Sequence, residues 1–297
     1  MLLRSIVSVA LLASVALPAA ALDGFAVYQA ARPNLVQVVG VSAEGRYHVG
    51  SGVALPNGTV ITNCHVTLQA QHVQLFLGGG NDATLQSATV THDLCALYFP
   101  DLKRAGVTLG ATRELSVGDA VFAVGFNAGK GLTYQPGEVT ELYELDGGMI
   151  VRTSAPFTHG ASGGGLFDQH GRLVGILTFF RAAKDKTDYF AVPVEWFKEI
   201  EAVPAQPIAP LAGMPFWADQ IGRQPAFLRA GALEADGRWE ELAAMARDWT
   251  DAAPEDGNAW MALGRAATQL GERIVADDAF RRAAELGVVH SAKMQSR

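Results

Sequence analysis

A serine hydroxyl is a poor nucleophile until a base takes its proton and hydrogen-bond donors are aimed at the oxyanion that follows. The segment Thr158-His-Gly-Ala-Ser-Gly-Gly-Gly-Leu-Phe sets one serine, Ser162, among glycines. Glycines there allow a tight turn that presents backbone N–H groups with no Cβ in the way. Gly160 and Ser162 are placed to supply two such donors. A plain glycine-rich turn is the bland alternative, so the serine counts only if a base can be found.

The same residues satisfy the G-x-S-x-G elbow of α/β-hydrolases, which requires a helix after the serine and a histidine later in the chain. Here three glycines and a hairpin-like Asp168-Gln-His-Gly-Arg follow, and the downstream histidines are His170, in that turn, and His290, near the chain end. The elbow reading fails. Upstream, Val60-Ile-Thr-Asn-Cys-His-Val puts His65 just past an apolar strand, and Thr91-His-Asp-Leu-Cys-Ala-Leu-Tyr puts Asp93 at the start of another. A lone histidine or aspartate in such a place is usually structural. The order His65, Asp93, Ser162, each in a fitting local context, is that of a base, its orienting carboxylate and a nucleophile in the chymotrypsin-like arrangement.

Short apolar segments between about Pro33 and Val194 must position these residues. Examples are Leu35 to Gly40, Val53 to Leu55, Thr59 to Thr62, Val73 to Leu77, Leu94 to Phe99, Ala120 to Val124, Met149 to Thr153 and Leu173 to Leu177. Gly, Asn, Asp or Pro separate them, and no helical pattern intervenes between consecutive strands, which points to an all-β barrel or sandwich. Residues 1–21 carry Arg4, an apolar run from Ile6 to Leu17, and Ala19 to Ala21, the pattern of a secretory signal cut after Ala21. The run is too short for a spanning helix, so the expectation is a periplasmic or secreted protein with no stable membrane anchor.

Four prolines between Pro204 and Pro215 read as a linker over 203–222. Residues 223–297 are alanine-rich with helical periodicity and a tetratricopeptide-like spacing. Gly237 and Gly271, Leu242 and Ala276, and Ala246 and Phe280 all stand at the same offset. An unrelated four-helix tail is the competing reading. The chain of 297 residues has a net charge of −7 and 18% charged residues, which argues against a coiled coil, a disordered chain and a nucleic-acid grip.

The chain resembles the trypsin-like serine proteases, and the bacterial HtrA-like branch in particular. The resemblance rests on Gly50-Ser-Gly-Val, Ile61-Thr-Asn-Cys-His-Val, Asp93-Leu-Cys-Ala-Leu, Gly160-Ala-Ser-Gly-Gly, Val174-Gly-Ile and Phe190-Ala-Val-Pro-Val. It implies a mainly β domain over 22–202, built as two six-stranded antiparallel barrels, with a small all-α domain after it. It also implies a cleft that joins His65 and Asp93 from the first barrel to Ser162 from the second. Gly163 would shape the oxyanion turn. Ala161 stands where digestive relatives carry an aspartate, so an activating ion pair with a cut N-terminus is not expected. The pocket for the residue before the cut would have its base near Pro156, with Thr178, Phe179, Phe180 and Phe190 as candidate walls. That favours a small or medium apolar residue, unless the phenylalanines are core residues facing away.

Cys64 and Cys95 flank His65 and Asp93. If those two side chains meet, a bridge between the cysteines is geometrically plausible. Two buried thiols are a second reading, and a metal held by Cys64, His65, His92, Asp93 and Cys95 a third. No cofactor is expected. Two functions remain: an exported serine endopeptidase acting on a protein or peptide, or an idle protease-like scaffold whose helical repeats engage a protein partner.

Overall fold

The computed structural model describes residues 21–76, 81–127, 130–183 and 186–288. The expected signal segment lies outside these residues except for Ala21. The first described helix, α1 (Gly24–Ala31), is capped by Asp23, whose carboxylate accepts from the Ala26 amide at 2.7 Å. Strands of alternating or wholly apolar residues follow: β1 (Leu35–Ser42), β2 (Tyr47–Ala54), β3 (Thr59–Thr62), β4 (Ala70–Leu75), β5 (Asn81–Asp82), β6 (Leu85–Thr89) and β7 (Leu94–Tyr98). Four-residue α2 (Cys64–Thr67) sits between β3 and β4. These strands pair antiparallel in the order β6-β7-β3-β2-β1-β4-β5, around a core that includes Val36, Val38, Val60, Val73, Leu75, Leu97 and Phe99.

The second half is a closed antiparallel barrel of β8 (Ala120–Asn127), β9 (Gly131–Leu145), β10 (Gly148–Thr153), β11 (Gly165–Asp168), β12 (Leu173–Ala182) and β13 (Thr187–Pro193). Its own core includes Val121, Val139, Val151, Leu166, Leu177 and Ala191. The expected pair of barrels is thus one closed barrel and one open, half-rolled sheet. A third cluster, with Ile61 and Leu94 from the first sheet and Phe122, Phe167 and Ile176 from the second, joins the halves. The barrel closes into α3 (Phe197–Ala202).

The proline-rich stretch is not a free linker. Its Gln206–Pro207 pair forms β14, which adds to the edge strand β6, where proline is tolerated because the outer side needs no N–H. The Leu211 amide donates to the Leu68 carbonyl and the Phe216 amide to the Thr91 carbonyl, each at 2.8 Å. Phe216 is buried in the joining cluster. Composition alone reads as a linker here; the pairing of Gln206–Pro207 with β6 and the burial of Phe216 dock the stretch on the β region.

The tail is two helical hairpins, α4 (Ala226–Ala235) with α5 (Trp239–Ala252) and α6 (Gly257–Gln269) with α7 (Arg273–Glu285). Gly237 and Gly271 both take left-handed backbone, at φ 66° and 75°, in the two turns. The tail packs on the barrel: Phe227 stacks on Tyr143 with centroids 4.3 Å apart, and Asn258 donates to the Leu142 carbonyl at 2.9 Å. Arg265 is not on a solvated face. It reaches Glu141 of β9 at 2.7 Å, and Glu141 also binds Arg152 at 2.6 Å and accepts from the Tyr143 hydroxyl.

Candidate active site

Thr62 ends β3, and the chain turns at buried Asn63 into α2, which carries Cys64 and His65. Asn63 does not cap that helix with its side chain. Its amide instead donates to the Asp93 carbonyl at 2.9 Å and to the Thr178 hydroxyl at 3.2 Å, tying the two halves of the molecule together. Asp93 precedes β7 with left-handed backbone, φ 56° and ψ 36°. Aspartate is among the few non-glycine residues that tolerate this, at a cost of about 1–3 kcal/mol.

This twist turns the carboxylate back onto α2. Asp93 Oδ1 accepts from the His65 backbone amide at 2.8 Å, and Oδ2 lies 2.6 Å from His65 Nδ1. Asp93 is fully buried, whereas the His65 side chain keeps 28% of its exposure, so the imidazole is held by a sheltered carboxylate and remains partly open to solvent. Cys64 and Cys95 are joined by a disulfide with Cα atoms 5.0 Å apart. The bond takes both sulfurs out of any thiolate ligand set. His92 stacks on Trp196 at 3.9 Å between Asp146 and Glu199, so the five residues considered as metal ligands are not assembled.

Ser162 lies between β10 and β11 on the second barrel. Gly160 and Gly163 hold φ values of 91° and 87°. A Cβ on Gly163 would sit 2.0 Å from the Ser51 carbonyl oxygen, so glycine is required there by conformation and by space. The amides of Ala161, Gly163 and Gly164 are spent on the carbonyls of Thr158, Leu177 and Ala161 at 2.8–3.0 Å. Those of Gly160 and Ser162 carry no hydrogen bond among the described residues. The Gly163 amide is thus already engaged with the Leu177 carbonyl. The turn is braced from the first sheet: Ser51 Oγ donates to the Gly160 carbonyl at 2.7 Å, and the Ser51 amide to the Ser162 carbonyl at 2.7 Å. Ala161 is wholly buried.

The Ser162 hydroxyl donates to the Thr178 carbonyl at 3.2 Å. No hydrogen bond joins it to His65 among the described residues. Thr178 offers that carbonyl because β12 bulges there: Leu177 pairs with Ala191 and Phe179 with Phe190, leaving Thr178 unopposed.

The expected pocket walls divide. Pro156 is exposed, and Phe180 belongs to a ring group with Phe157 and Tyr189, at 6.2 and 6.1 Å. Phe179 and Phe190 face the other way. They stack on each other at 4.6 Å, are 5% and 4% exposed, and pack with Phe216 and Phe227 in the joining core. Strand alternation sends neighbours 179 and 180 to opposite faces, which corrects their assignment as one wall. Thr178 is buried, its hydroxyl donating to the Ile176 carbonyl at 2.8 Å.

Three contributors were not singled out from the sequence. Ser51 and Asn63 lay inside recognised motifs without a stated role. Trp217, from the stretch expected to be a linker, donates its indole N–H to Asp93 Oδ2 at 3.0 Å.

Residues 50–176 match the trypsin-like peptidase domain family. The periplasmic pH-dependent serine endoprotease DegQ of Escherichia coli is 34% identical over 140 residues, covering 44% of this chain and 31% of its own. The chain thus spans about a third of the length of that relative. The HtrA-type protease AlgW with tripeptide superposes with a TM-score of 0.53 at 28% identity, covering 59% of this chain and 61% of its own. The active form of the Rv3671c protease from M. tuberculosis superposes at 0.56, covering 70% of this chain and 99% of its own; at 23% identity this supports the fold alone. Over residues 50–176 this chain is thus similar to the trypsin-like peptidase domain family, and the relatives and solved structures it resembles are Deg-type and HtrA-type serine proteases.

Proposed function

We propose that this chain is an exported serine endopeptidase. The observation that carries the reading is the 2.6 Å His65–Asp93 pair, beside which stands a serine whose glycine turn leaves two amides without hydrogen bonds among the described residues. Ser162 Oγ attacks the peptide carbonyl while His65 Nε2 takes its proton, and the imidazolium is held by Asp93. The amides of Gly160 and Ser162 receive the oxyanion. His65 then protonates the leaving amine, and water attacks the acyl-enzyme by the same base. The serine must rotate from the Thr178 carbonyl toward His65, in keeping with catalytic hydrogen bonds that form only with substrate bound.

Phe157, Phe180 and Tyr189 form an apolar ring group next to Pro156 and offer no acidic group. This favours a small or medium apolar residue before the cut; cleavage of a peptide library chiefly after Arg or Lys would reject that preference. The Ala161 site supports activity with no cut beyond signal removal. The four helices support two tetratricopeptide-like units over 223–297, which would bind a protein partner.

The serine's bond to Thr178 favours one alternative, an idle scaffold that binds a partner through its helices. Labelling with a fluorophosphonate, on the chain beginning at Leu22, separates the two. The wild type is expected to label at Ser162 and cleave peptides, while Ser162→Ala and His65→Ala lose about 10⁴-fold or more in kcat/KM. An unlabelled, inert wild type would sink the endopeptidase reading.

A further inference from the structure

We infer that Trp217, from outside the peptidase domain, is a positioning residue of the catalytic centre. The inference rests on the endopeptidase reading. Asp93 Oδ2 takes two donors, His65 Nδ1 at 2.6 Å and Trp217 Nε1 at 3.0 Å. A buried carboxylate needs its lone pairs satisfied, and the Thr178 hydroxyl, bound by the same Asn63 amide that reaches the Asp93 carbonyl, donates to the Ile176 carbonyl instead. The indole fills that place.

The indole is itself held on three sides. Its plane stacks on Phe179 at 5.1 Å and 14°, and it meets the His65 ring edge-on at 5.6 Å and 88°. The preceding Phe216 amide binds the Thr91 carbonyl, two residues before Asp93. The Trp217 carbonyl accepts from Gln224 Nε2 at 3.1 Å, and Gln224 Oε1 accepts from Arg181 of β12 at 2.7 Å.

The chemistry follows from this placement. Two donors on one oxygen fix the plane of the carboxylate. A fixed carboxylate keeps the proton of neutral His65 on Nδ1 and leaves Nε2 free to accept from Ser162. The edge contact hinders rotation of the imidazole. Residues 22–202 therefore contain the nucleophile, base and carboxylate, but the group that completes the carboxylate's bonding comes from the strap that leads to the helices.

The test uses the full exported chain and two variants. Trp217→Phe keeps an apolar ring against Phe179 and removes the N–H. Trp217→His restores an N–H at the ring position reached through the same bonds, with less stacking surface. For Trp217→Phe the expected result is a fall in kcat of about tenfold, of the size that outer-shell partners of functional histidines give, with KM changed less than about twofold. Trp217→His should recover part of the loss. Independently of activity, long-range proton–nitrogen spectra should show one Nδ1–H tautomer of His65 in the wild type and a mixture in Trp217→Phe. Unchanged kcat with an unchanged tautomer pattern would overturn the inference, as would a rise in KM alone, which would make the indole substrate surface. If the wild type neither labels nor cleaves, the endopeptidase reading falls and the tautomer spectra decide the role of Trp217.

Discussion

The chemistry of the site depends on residues whose backbone is held where most side chains cannot follow. Gly163 is the clearest case, because its φ of 87° and the Ser51 carbonyl 2.0 Å from a would-be Cβ penalise alanine twice. The conformation alone costs about 1–3 kcal/mol, and relieving the clash must move either the serine turn or the Ser51 backbone that braces it. Gly163→Ala is therefore expected to lower the urea midpoint and to slow fluorophosphonate labelling of Ser162. An unchanged midpoint and labelling rate would mean that the turn has more room than its contacts allow. Residue types and order brought His65, Asp93 and Ser162 to attention because each stands beside a strand end or a glycine turn with its own local pattern. Trp217 has no such pattern: it lies 124 positions after Asp93, in a stretch whose prolines advertise only extended chain. Phe179 and Phe180 were indistinguishable by type, and only the bulge at Thr178 and the alternation of β12 separate their directions.

At the scale of elements, the disulfide joins the start of α2, which carries His65, to β7, which Asp93 immediately precedes. It closes a loop with a sequence separation of 31, for which the loop-entropy account gives about 3–4 kcal/mol. Replacing both cysteines by alanine is expected to lower unfolding free energy by about 3 kcal/mol. Peptidase activity should fall with it, as the two elements gain freedom. Reduction of the wild type should do the same, while leaving the alanine variant unaffected; stability unchanged with both thiols shown free by mass would refute this. The strands that were expected from apolar runs are present because those runs are buried on one or both faces. The longest strand, β9 (Gly131–Leu145), was not anticipated. It carries Thr, Gln, Glu and a proline, and only Val139 and Tyr143 are buried. Its C-terminal end meets the helical tail through Glu141, Leu142 and Tyr143, a partner that a local hydropathy pattern cannot show. The strap behaves alike: its order comes from β6, Leu68 and Thr91, far away in sequence.

The whole molecule is held together at its barrel–tail seam by a charge network that can be read out with pH. Burial by itself would raise the Glu141 carboxyl, but the guanidinium groups of Arg265 and Arg152, with the Tyr143 hydroxyl, overcome it and hold the group at about 2 against an ordinary 4.5. A carboxylate depressed in the folded state contributes stability that is fully present above its unfolded value. That contribution is lost as pH falls from about 4.5 toward 2. Glu141→Gln removes the titration and leaves Arg265 with Glu234 alone and Arg152 with Asp188. Taking one partner from such a buried set costs about 3–5 kcal/mol where the network is ionised. The expected outcome is a thermal midpoint well below wild type near neutrality, with the gap between the two proteins narrowing as pH falls below 4.5. A gap that stays constant from neutrality to pH 3 would show that Glu141 does not supply the seam's charge. Because the strap bearing Trp217 runs between this seam and Asp93, weakening the seam should also lower kcat at neutral pH in Glu141→Gln before it lowers the amount of folded protein. Equal kcat per folded molecule would separate the docking of the tail from the ordering of the catalytic centre.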